Sequence, residues 1–100
     1  MGLCSNQRIE FIDVSEFDEL AGKVRGPMVG ILFREMLWLG TSDRSVLGVV
    51  LRDLVDKDFS WVCLALHSGQ YEAVDVAVSI ATQAEALLAV QHRMQHGYSK

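Results

Sequence analysis

The sequence predicts an α+β domain, a three- to four-stranded antiparallel meander flanked by an N-terminal and a C-terminal helix. Three observations carry that expectation. Apolar residues recur at helical spacing near each end of the chain. Between them the period changes to two, in the runs SVLGVVLRD, FSWVCLALHSG and QYEAVDVAV. A two-residue break, Ser68-Gly69, joins the last two runs as a tight hairpin. One hundred residues, half of them hydrophobic and 22% charged, with one proline, suit a single packed domain over residues 1–100.

Residues 1–10 read as a tail. In MGLCSNQR, Gly2 and Cys4 suggest acylation, but Asn6 stands where the myristoylation pattern needs Ser or Thr, so an ordinary tail is the stronger reading. A helix is expected over 13–25: Asp13 and Glu16 form a capping pair, Ile12 and Phe17 a hydrophobic staple, and Gly26-Pro27 a stop. Phe17, Leu20, Ala21 and Val24 give it one buried stripe. Residues 28–33 fit helix or strand equally. The sheet then spans 34–78, with turns at TSDRS, LVDKD and Ser68-Gly69. A second helix over 82–96 starts at the capping box Thr82–Glu85, buries Ala84, Leu87, Leu88 and Met94, and stops at Gly97.

The central strands are apolar on both faces. Phe59, Trp61, Cys63 and Ala65 alternate with Val62, Leu64 and Leu66, and Leu47, Val49 and Leu51 alternate with Val46, Gly48, Val50 and Arg52. Antiparallel sheets ordinarily leave one face to water and show clean alternation. The last strand obeys that rule, with Val74, Val76 and Val78 set against Asp75 and small alanines, and the C-terminal helix is expected to cover its valine side. The second face of the middle strands needs either the N-terminal helix or a partner. So short a helix is expected to cover it incompletely.

The charge narrows the partners. A formal net charge of −4 and a pI near 5.2 disfavour attraction to phosphate backbones, and only nine Lys and Arg are available, so no direct nucleic-acid binding is expected and a basic protein surface fits better. Two distant cysteines, Cys4 and Cys63, make no disulfide framework. The longest apolar run, PMVGILF, is too short to span a bilayer and is closed by Arg34 and Glu35, which predicts a cytoplasmic chain that is not a membrane protein.

Catalytic equipment is sparse. Cys63 and His67 share a strand face but lie about 13 Å apart at the usual rise, too far for a proton to pass. His92 and His96 are one helical turn apart, the spacing of a metal pair, but Arg93 stands where a zincin needs Glu and no third ligand is evident. Asp53, Asp56 and Asp58 crowd a turn without the glycine and closing Glu of a calcium loop, and aspartates are common in turns because they bond their own backbone. Phosphate-loop glycine patterns are absent. No metal or cofactor is expected.

Trp38, Phe59, Trp61 and Tyr71 lie on neighbouring strands and suggest one aromatic patch, a composition typical of interface centres, while a place in the core beneath a helix is the competing reading, the stronger one for Trp38 and evenly balanced for Trp61. The expectation is therefore a non-enzymatic protein–protein interaction module, a small acidic inhibitor or adaptor that dimerises or docks on another protein through an apolar sheet face. The expected partner-binding residues are Trp38, Val50, Arg52, Asp53, Asp56, Asp58, Trp61 and Tyr71. Its layout resembles that of many small bacterial and phage proteins, a likeness of architecture that transfers no residues. A phage or mobile-element origin, with action on host nucleic-acid machinery, extends that expectation. The alternative is a small metal- or ligand-binding enzyme or sensor using His92 and His96, with His67 and Cys63 nearby.

Overall fold

The computed structural model describes residues 8–25, 36–53, 55 and 57–96. Five strands, β1 (Ile9–Phe11), β2 (Met36–Thr41), β3 (Val46–Arg52), β4 (Phe59–His67) and β5 (Gln70–Ile80), form one sheet in the order β1-β2-β3-β4-β5. Every neighbouring pair is antiparallel. Two α-helices, α1 (Phe17–Ala21) and α2 (Gln83–His96), complete the α+β architecture.

The expected three or four strands become five because β1 belongs to what reads as a tail. Its three residues pair with the end of β2, Ile9 opposite Thr41 and Phe11 opposite Leu39, and Ile12 N–H extends the ladder to Trp38 O at 3.0 Å. Three residues are too few to show a period of two. Residues 1–7, with the acylation signal, lie outside the described residues, as do Gly26, Pro27 and the ambiguous 28–33.

The sheet is the middle of three layers. On one face Ile12, Leu20, Ala21 and Val24, with Phe17 beside them, cover Trp38, Leu47, Val49, Val62, Leu64 and Tyr71. On the other, Ala86, Val90 and Met94 of α2 cover Leu39, Val46, Val50, Trp61 and Cys63. The doubly apolar pattern of β3 and β4 is thus explained by cover from the chain itself on both sides.

The N-terminal cover is less regular than a helix over 13–25. A 3₁₀ turn, Val14–Glu16, leads into five α-helical residues, and Gly22 is the C-cap. Asp13 Oδ1 accepts from Ser15 N–H at 3.5 Å, whereas the Glu16 carboxylate, instead of closing a capping box, reaches Arg44 on the β2–β3 turn. Arg44 is left-handed, φ 60, and its guanidinium binds Glu16 at 2.8 Å, Glu10 at 3.0 Å and Thr41 O at 2.9 Å. Tyr71 Oη–H donates to Arg44 O. One arginine thereby ties β1, the 3₁₀ turn and β5 to the same hairpin.

The Arg44 guanidinium holds the Glu16 carboxyl below its ordinary 4.5, while burial opposes the shift. A depressed carboxylate stabilises the fold above the unfolded value, and that contribution is lost as pH falls through the folded value. Arg44→Met is therefore expected to cost about 1 kcal/mol near neutrality, a modest figure because the pairs are partly exposed. It should also flatten the loss of stability on acidification, read by urea unfolding across a pH series. Parallel acid limbs in variant and wild type would mean that the clamp contributes nothing.

α2 begins as expected, with Glu85 N–H donating to Thr82 Oγ1 at 3.2 Å and Thr82 Oγ1–H to Glu85 Oε1 at 3.4 Å. Its buried stripe is corrected in part: Met94 is buried as expected and Leu87 packs half-buried on the core. Ala86, Val90 and Met94 face the sheet, and Ala84 and Leu88 face outward, Leu88 with 69% of its surface exposed. Gly48 sets this choice. A Cβ there would sit 2.7 Å from Met94 Sδ and 2.8 Å from Val90 Cγ2, so these two side chains occupy the gap the missing side chain leaves in β3. Among the described residues no helix is long and apolar enough to cross a membrane.

Candidate interaction surface

The strand pairings decide which residues can meet a partner. Trp38 is 1% exposed and stacks on Phe17, with centroids 5.5 Å apart and planes inclined at 29°. Tyr71 is buried on the same face, and Val50 and Trp61 are buried on the opposite face beneath α2. The expected aromatic patch is therefore corrected: Trp38 and Tyr71 belong to one core, Phe59 and Trp61 to the other. Placed there, Trp38, Val50, Trp61 and Tyr71 fill the interior and have no surface to offer.

The polar members lie at the β3–β4 connection. Arg52 and Asp53 are exposed and Asp58 is half-buried, while Asp56 lies outside the described residues. Asp53 Oδ1 accepts from Val55 N–H at 2.8 Å, Asp53 O from Lys57 N–H, and Asp58 O from Asp53 N–H, both at 2.9 Å. These bonds carry the chain through a turn in which Lys57 takes φ 62. Asp53 thus does, through its side chain, the backbone work that makes aspartates common in turns.

Of the alternative site, the His96 side chain lies outside what is described, and the other members are placed apart. Cys63 is buried against α2, His67 is exposed at the end of β4, and His92 is exposed on α2. Burial pushes the Cys63 thiol up to about 11 against the pull of Arg93, which keeps it a thiol rather than a thiolate near neutral pH. Among the described residues no three His, Cys, Asp or Glu side chains converge to hold a metal ion.

What the fold leaves uncovered is a strip the sequence hid. Val74, Val76 and Val78 of β5 are 42%, 57% and 66% exposed. The β4–β5 hairpin turns through Ser68 and Gly69, at φ 53 and 82, as a type I′ turn requires. It starts in the register His67 opposite Gln70, which continues through Leu64 opposite Ala73. Carried on unbroken, that register sets Val74 and Val76 opposite Cys63 and Trp61, under α2. A β-bulge intervenes, however, and beyond it Asp75 opposes Cys63, Val76 opposes Val62 and Ala77 opposes Trp61. One inserted residue exchanges the faces of everything downstream. Val76 therefore stands on the α1 face, past the reach of α1, and the expectation that the C-terminal helix covers the valines is corrected.

The acids of β5 are paired. Asp75 Oδ2 accepts from Arg93 Nε at 2.7 Å and Glu72 Oε2 from Arg25 Nη1 at 2.9 Å. Arg93 and the Val76 N–H together hold the Asp75 carboxyl below its usual range. A second irregularity between Phe59 and Trp61, with Ser79 at φ 61, lets Ile80 oppose Phe59. The strip therefore ends beside the β3–β4 connection and its aspartates, because Phe59 also pairs with Arg52. No protein-family model, curated protein or solved structure matches this chain.

Proposed function

We propose that the protein is a non-enzymatic interaction module that docks on another protein through the Val74–Val76–Val78 strip of β5. The exposure of these three valines together carries the reading: the apolar residues of β3 and β4 are almost all under cover, while three β-branched side chains of one strand stand in water. Isolated surface hydrophobics need no explanation, but a row of them does. The strip lies next to the aspartates of the β3–β4 connection in a chain of net charge −4, so a partner with an apolar centre and a basic rim is complementary. An inhibitor or adaptor role follows from such a surface, and action on host nucleic-acid machinery is its narrower form.

A photo-crosslinker placed at position 76 or 78 is the direct test, with position 88, exposed on α2, as control. The expected result is one partner captured from 76 and 78 but not from 88, and competed away by unlabelled protein. Val76→Asp is expected to weaken capture about tenfold or more, equivalent to about 1.4 kcal/mol, without lowering the thermal midpoint. Equal capture from all three positions, or capture of a second copy of this chain alone, would overturn docking on another protein through this strip.

A further inference from the structure

The edge of β5 carries a second device, independent of which protein docks on its valines. β5 is the last strand of the sheet, and such edges offer unpaired amides and carbonyls to any extended chain. At its start the edge is occupied: Tyr71 N–H donates to Lys23 O at 2.7 Å and Arg25 N–H to Tyr71 O at 2.9 Å. Farther on, the two register shifts leave one regular stretch between them, Asp75 to Ala77 opposite Cys63 to Trp61. A ladder of three residues is enough to hold a strand in this fold, since β1 is held by one.

At the start of that stretch Asp75 folds back on the backbone. Its Oδ1 accepts from Val76 N–H at 2.9 Å, while Arg93 Nε fixes Oδ2 from α2. The Val76 amide is thus taken, and a carboxylate stands beside the place where an incoming strand would bond.

We infer that Asp75 guards the β5 edge against pairing with a second copy of this chain. Two-fold antiparallel pairing centred on Val76 would set the two copies of Val76 together and residue 75 against Ala77. The Val76 pair is favourable across strands, and with Asp75 removed the flanking pairs are small and neutral. Aspartate at 75 opposes this twice, by occupying the amide and by placing charge in an apolar ladder.

Light scattering after size exclusion, over a wide range of concentration, tests the guard with Asp75→Ala. The expected result is a mass that rises from monomer towards dimer with concentration, with the far-ultraviolet spectrum of wild type. Adding Val76→Lys in the same chain should restore the wild-type mass. Arg93→Gln removes the ion pair but leaves the Asp75 bond to the Val76 amide, and should keep the wild-type mass. Should Asp75→Ala fail to fold, Asp75→Val, with a side chain suited to strands, takes its place. A folded Asp75 variant that matches wild type at every concentration overturns the inference, and so does association in Arg93→Gln equal to that in Asp75→Ala. Because the readout is self-association, it stands or falls separately from capture of another protein.

Discussion

Trp38→Ala is expected to lower stability by about 3–5 kcal/mol, the usual cost of deleting a buried aromatic ring. Natural domains hold about 5–15 kcal/mol in all, so the variant should be at the margin of folding. Trp38 is 1% exposed, stacks on Phe17, and sits among Leu47, Val49, Val62 and Leu64, so its loss hollows the layer between α1 and the sheet. Denaturant unfolding measures the cost. The indole Nε1–H finds no acceptor among the described residues. Trp38→Phe, which removes that donor while keeping a ring for Phe17 to stack on, is therefore expected to be much milder. A loss under about 1 kcal/mol for Trp38→Ala would be the behaviour of a surface residue and would contradict the burial.

Gly48→Val is the second large effect. Its Cβ alone would lie within 3.0 Å of Met94 Sδ and Val90 Cγ2, and its two methyl groups would reach farther into the helix. Overpacking of this kind costs about 1–3 kcal/mol, and the upper end is expected because Val90 is fully buried and stiff. The strain should be specific to α2. In the Gly48→Ala background, Met94→Ala is expected to cost less than it does alone, a non-additivity that a double-mutant cycle in urea reads directly. Additive costs would mean that the helix does not rest on Gly48.

The architecture was largely legible in the residues. The capping box at Thr82, the Ser68-Gly69 turn and the alternation of β3 and β4 each state a local preference that the fold keeps. The two apolar faces of the middle strands posed the right question, and the answer is α2 on one side and the segment from Ile12 to Val24 on the other. The surface was not legible, for a definite reason. Propensity and alternation assume an unbroken register, and the shift between Cys63 and Leu64 moves Val76 and Val78 to the face opposite the one their spacing implies. No residue type announces that shift, because its consequence depends on pairing with a strand already laid down. The aromatic residues were legible only in part, since the core position favoured for Trp38 holds while the single patch does not. Tryptophan is as much at home in an interior as at an interface, and whether Trp38 and Trp61 face the same way depends on which strand positions carry them.

The order of the sheet has a kinetic consequence. Each strand lies beside its predecessor, so β3, β4 and β5 assemble by closing short loops, and the I′ turn at Ser68-Gly69 gives the last pair an early start. The costly closures are those made by residues 8–25, which must find Thr41, Arg44 and Tyr71 across dozens of intervening positions. The meander is expected to zip first and the leading segment to lock on last. During that interval the Trp38 face stands open to water, which makes it the surface through which a slowly maturing chain would clump.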